Sequence, residues 1–143
     1  MALQLGQGYR AGRLAQVPEN NKPPKPDKGQ GRAAPDARAV MIYATFPNRE
    51  TALAVGRGMV EQRIAGCINV LAGMTSVYVW KGETETSDEA VMIAKLAAEG
   101  AERAVAHILA NHPYETPAIL VIPVTGGSET YLAWVCAGTE LGT

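Results

Sequence analysis

Cys67-Ile68-Asn69-Val70-Leu71-Ala72-Gly73-Met74-Thr75-Ser76-Val77-Tyr78-Val79-Trp80 is a run of β-branched, aromatic and small apolar side chains with no helical period. It reads as one long extended segment bent at Gly73, and Lys81 to Ser87 reads as a polar, glycine-containing turn. Ala90 to Leu96 is a second apolar run of strand length, so the two make a hairpin. Upstream, Ala39 to Phe46 is a strand ended by Pro47, and Asn48 is positioned to cap a helix. In that helix Ala52, Leu53, Val55, Gly56, Met59, Val60 and then Ile64 share an apolar side, while Arg49, Glu50, Arg57 and Glu61 hold the other. Gly56 and Gly58 lower its propensity but allow a close approach. Downstream come a helix from about Glu99 to Asn111, a strand at Ile119 to Val124, a Gly126-Gly127 turn and a short helix from Glu129 to Cys136. The order β-α-β-β-α-β plus a terminal helix predicts an α+β, ferredoxin-like split β-α-β domain whose antiparallel sheet is covered on one face by two helices.

The other face has no helix pair assigned to it. Val70, Ala72, Val77 and Val79 set against Cys67, Asn69, Tyr78 and Trp80 leave neither side of the hairpin purely polar. A sheet that is apolar on both faces and covered on one calls for a partner, most simply further copies of the same chain.

The domain occupies residues 39–143, and residues 1–38 differ from it in kind. They hold five of the nine prolines and seven Lys and Arg against three acids, a charge of +4, whereas residues 39–143 carry six against eleven, a charge of −5. Such a segment buries too little to offset its chain entropy and is expected to be a flexible extension, either a linker or upstream-start stretch, or a basic arm. No apolar run of signal-peptide length follows Met1, and no stretch looks like a membrane span. The acidic body argues against nucleic acid and for cations. Two cysteines, Cys67 and Cys136, are too few for a secreted disulfide framework, which fits a reducing cytoplasm.

His112-Pro113-Tyr114-Glu115-Thr116-Pro117 carries the most chemistry: an imidazole, a phenol and a carboxylate held between two prolines. Val105, Ile108, Leu109 and His112 lie on one helical stripe that Pro113 closes, so His112 sits at a helix-to-strand corner. There its ring can cap the last helix carbonyls or serve as a nitrogen ligand for copper or zinc. Glu115 is either a solvated turn carboxylate or an oxygen ligand, and Cys67 either a small buried hydrophobe or a thiolate ligand. Glu83, Glu85, Asp88 and Glu89 read as a charged edge on the hairpin, and Tyr78, Trp80 and Trp134 as contact aromatics.

Thr45-Phe46-Pro47, Cys67-Ile68-Asn69, Tyr78-Val79-Trp80-Lys81-Gly82, Glu89, Lys95, the His112 to Pro117 corner and Tyr131-Leu132-Ala133-Trp134 follow one another in an order that resembles the CutA family of divalent-cation tolerance proteins. The resemblance covers nearly all of residues 39–137. It implies a ferredoxin-like fold, a tight homotrimer whose long hairpins reach across neighbouring subunits, and binding of copper or another divalent ion. It implies no cofactor needed for folding. The family also resembles PII-like signalling trimers, where small ligands sit in clefts between subunits. On this reading His112 supplies nitrogen, with Cys67 and Glu115 as further metal ligands drawn from adjacent subunits. Ala44 stands where some members carry a cysteine, and Leu96 where a threonine usually follows Lys95.

An enzyme is not expected. The chain has no glycine-rich phosphate loop, Gly-x-Ser-x-Gly elbow or His-Glu-x-x-His pair. The segment after the first strand, Phe46 to Glu50, is unlike an acylphosphatase loop, and Val91-Met92-Ile93 lacks the aromatics of an RNA-binding sheet.

Overall fold

The computed structural model describes residues 38–140. Their elements are β1 (Ala39–Phe46), α1 (Arg49–Glu61), β2 (Cys67–Trp80), β3 (Glu83–Ala97), a single 3-10 turn (Ala98–Gly100), α2 (Ala101–Asn111), β4 (Ile119–Val124) and α3 (Glu129–Ala137). The four strands make one antiparallel sheet in the order β2-β3-β1-β4, which is the split β-α-β arrangement expected from the element order. Asn48 starts α1 by accepting a hydrogen bond from the Thr51 N–H at 2.8 Å.

Strand alternation divides the sheet into two faces. Val40, Ile42, Ala44 and Phe46 of β1 pair with Leu96, Ala94, Met92 and Ala90 of β3, and all eight are buried. Onto this face α1 brings Ala52, Val55 and Met59, and α2 brings Ala104 and Ile108. A Cβ at Gly56 would lie 2.8 Å from Ile68 Cδ1 and 3.1 Å from Met92 Sδ, so the glycine sets how closely α1 sits on the sheet.

The second face is the open one. One end is covered by α3, with Leu132 and Val135 buried and Tyr131 beside Lys95 of β3. The rest carries exposed apolar groups, among them Leu71 (57% exposed), Leu120 (57%) and Ile122 (39%). The register slips between Leu71 and Met74, where Gly73 takes φ +83°. This bulge inserts one residue and reverses the facing of the strand. Beyond it Met74 points to Tyr43 on the open face, and Tyr78 and Trp80 follow Met74 to that side.

The turn expected over Lys81 to Ser87 is instead two residues long. Lys81 (φ 50°) and Gly82 (φ 81°) form it, and β3 begins at Glu83. Glu83 to Asp88 pair one for one with Trp80 to Thr75. Their polarity marks a hairpin arm with both faces in solvent, since Val77 and Val79 are also exposed there. Two consecutive positive φ values match the right-handed twist of the flanking strands, as a tight hairpin requires.

The expected extension, residues 1–38, lies outside the described residues except for Arg38. That residue belongs to the body: its carbonyl accepts from the Ala98 N–H at 2.8 Å and its guanidinium contacts Glu129 at 2.7 Å. The packed domain therefore reaches at least one residue further than Ala39. No helix among the described residues is long and apolar enough to cross a membrane.

Candidate functional site

Pro113 disfavours helix at the residue before it, so α2 stops at Asn111, whose amide donates to the His107 carbonyl at 2.8 Å. His112 leaves in extended conformation (φ −86°, ψ 137°) and turns its ring onto β1. The ring stacks on Phe46 with centroids 4.4 Å apart. Its Nε2 lies 2.7 Å from the Thr45 carbonyl oxygen, and its Nδ1 lies 3.0 Å from the Tyr114 backbone N. A carbonyl can only accept and a backbone N–H can only donate, so Nε2 carries the hydrogen and Nδ1 the lone pair. Both nitrogens are thus committed to the main chain. The ring caps no carbonyl of α2, and it can coordinate a metal only if the Tyr114 N–H is released.

The corner that His112 secures forms one wall of a cleft on the open face, with a volume of ≈ 540 Å³. Thr45, Glu89, Tyr114 and Glu115 line it from the body, and Tyr78, Trp80 and Glu85 line it from the hairpin arm. Tyr114 Oη donates to Glu89 Oε2 at 3.2 Å. Burial first, and the Glu89 carboxylate second, push the Tyr114 phenol above its ordinary value. None of the described lining residues is basic, so three carboxylates and three aromatic rings set the character of the cleft.

Of the three expected ligands, Glu115 is in this cleft, and His112 stands behind its wall as a structural pin. Cys67 is elsewhere. It opens β2 opposite Lys95, which pairs in turn with Met41, four residues along β1 from Thr45, or roughly 13 Å at the strand rise. Its thiol points to the Ile68 carbonyl at 3.8 Å. One chain does not bring Cys67 and His112 together, and among the described residues no group of three or more His, Cys, Asp or Glu side chains is placed to hold a metal ion. A metal site of that kind does not fit a single copy. Glu85 and Glu89, expected as part of a charged edge, both line the cleft, and Glu89 does so from the body of the sheet. The signal was its parity, because Glu89 alternates with the core residues Ala90 and Met92 and so shares the open face with Val91 and Ile93.

The segments that carry the resemblance, Thr45 to Pro47, Glu89 and the His112 to Pro117 corner, thus meet at one place in the fold. A family model for the CutA1 divalent ion tolerance protein matches residues 40–137. The chain belongs to the CutA family. It is 36% identical over 99 residues to the divalent-cation tolerance protein CutA of Pectobacterium atrosepticum, a match covering 69% of this chain and 90% of that one. It is 35% identical over 102 residues to the chloroplastic CutA of Arabidopsis thaliana, covering 71% of this chain and 56% of the plant protein. The chain therefore spans little more than half the length of that relative. The crystal structure of the divalent ion tolerance protein CutA1 from Ehrlichia chaffeensis superimposes with a TM-score of 0.70 at 31% identity, covering 76% of this chain and 100% of that one. Within the CutA frame, the two departures both fall in the core: Ala44 and Leu96 are fully buried on the helix-covered face. A cysteine at 44 would point away from the cleft.

Proposed function

We propose that this CutA chain acts without enzymatic activity, as a homotrimer that binds a divalent cation between its copies. The observation that carries the reading is the open-face cleft: Glu85, Glu89 and Glu115 line it, no basic residue among the described ones joins them there, and its donors are too dispersed among the described residues to complete a coordination shell in one chain. Apolar groups around it, Leu71 and Leu120 among them, supply the surface on which neighbouring copies close. Glu89 and Glu115 offer oxygen. A softer donor, Cys67 or a released His112, is what would favour Cu(II) or Zn(II) over Mg(II), which prefers oxygen and water. Two free thiols suit a reducing, cytoplasmic setting, which is part of the same proposal.

A second reading rests on the three aromatic rings of the cleft, Tyr78, Trp80 and Tyr114, which suit a flat organic ligand of the kind bound by PII-like trimers. Calorimetric titration of the full chain with Cu(II), Zn(II) and Mg(II), beside a nucleotide screen, separates the two. The proposal expects saturable binding of Cu(II) or Zn(II), weakened at least about tenfold in Glu89→Gln/Glu115→Gln, the size expected when charged ligands are lost. Nucleotide saturation with no response to cations would replace it by the second reading.

A further inference from the structure

A second cavity lies at the other end of the open face, beneath α3. It holds ≈ 200 Å³, and apolar groups wall it: Val40 and Met41 of β1, Val124 of β4, and Leu132 and Val135 of α3. A single charge borders it. Lys95 reaches in from β3 and sets its Nζ 5.2 Å from the centre of the Tyr131 ring. The ion pairs among the described residues are Arg38 with Glu129 and Arg63 with Glu140, and neither involves Lys95. Its ammonium stands half-buried at the edge of an apolar chamber and meets no carboxylate among the described residues. A small anion with an apolar body would find a charged donor and an apolar wall together there.

We propose that this cavity is a binding site for a small organic monocarboxylate, with the carboxylate on Lys95 Nζ and the hydrocarbon part among Met41, Leu132 and Val135. Size sets the class. A dry apolar cavity of about 150 Å³ takes a molecule the size of benzene, so this one suits roughly six to eight non-hydrogen atoms, as in butyrate to hexanoate. Polyanions fit poorly, because among the described residues one ammonium and no second cation line the chamber. The site is separate from the acidic cleft: the residues that line the two do not overlap, and carboxylates are repelled by Glu85, Glu89 and Glu115.

The test is calorimetric titration of the full chain with acetate, butyrate and hexanoate, with butylamine as the cationic control. Saturation is expected to tighten from acetate to the longer acids, with no response to butylamine. Lys95→Met should weaken binding at least about tenfold, as loss of a charged contact does, and Lys95→Arg should retain it. Should Lys95→Met fail to fold, Leu132→Phe, which fills the chamber while leaving the charge, should exclude hexanoate. Absence of saturable binding by every acid overturns the proposal, as does equal affinity in Lys95→Met. So does a parent that binds no acid while Lys95→Met falls apart into monomers by light scattering, since the counter-charge is then a carboxylate of a second copy.

Discussion

Replacing His112 by Ala removes the stack on Phe46 together with the bonds to the Thr45 carbonyl and the Tyr114 N–H. We expect a loss of about 2–3 kcal/mol, from one aromatic contact and two hydrogen bonds, read as a lower urea midpoint, with cation affinity falling less than in Glu89→Gln/Glu115→Gln. The opposite pattern, unchanged stability and lost cation binding, would show that the imidazole is a ligand. Gly66 makes a second test at this scale. A Cβ there would overlap the Val135 carbonyl oxygen, and a Cβ at Gly138 would lie 2.9 Å from Gly66 Cα, so α3 and the start of β2 touch backbone to backbone. Gly66→Ala should cost about 1–3 kcal/mol, as overpacking does, and a midpoint equal to the parent's would mean that α3 shifts freely. The type of side chain at 112 was legible in the sequence, but its direction was not, because two backbone groups distant in sequence or fixed by a turn decide where the ring nitrogens point.

Elements were easier to read than directions. Periodicity placed α1, β4 and the helix-to-strand corner, since each has a one-sided apolar pattern or a proline at its end. It failed on β3, where Glu83 to Ser87 look like part of a turn because both sides of the arm meet solvent and no apolar alternation survives. The bulge at Gly73 keeps Cys67, Asn69, Tyr78 and Trp80 on one side despite their change of parity, as the sequence grouping expects, but strand alternation does not say that Glu89 and the His112 to Pro117 corner meet Tyr78 and Trp80 there. Between the helices, His107 gives a pH test. Burial first, and Arg103 second, hold its imidazole below the ordinary 6.5. The unfolded chain then takes up the proton before the folded one, so this contribution is complete above the ordinary imidazole range and is lost as pH falls through it toward the lower folded value. Urea midpoints should therefore drop between about pH 7.5 and about pH 5, and drop less in His107→Gln. An identical drop in the variant would assign the effect to other groups.

For the whole molecule, the decisive feature is the uncovered half of the sheet. Leu71, Leu120 and Ile122 lie on one face of it, and the hairpin arm beyond adds Trp80 at 58% and Val79 at 69% exposure. Obligate interfaces resemble a core cut in two, and closed rings of identical copies are the ordinary way to bury such a surface. Fold and family follow from one chain, whereas the proposed cation site would be completed only between copies. Native mass spectrometry of the full chain with Zn(II) tests both parts of the account together. The account predicts a particle of three times the 15.1 kDa chain mass that retains one ion per chain and loses those ions in Glu89→Gln/Glu115→Gln. A monomer, or a trimer that retains no more zinc than the doubly substituted one, would contradict it.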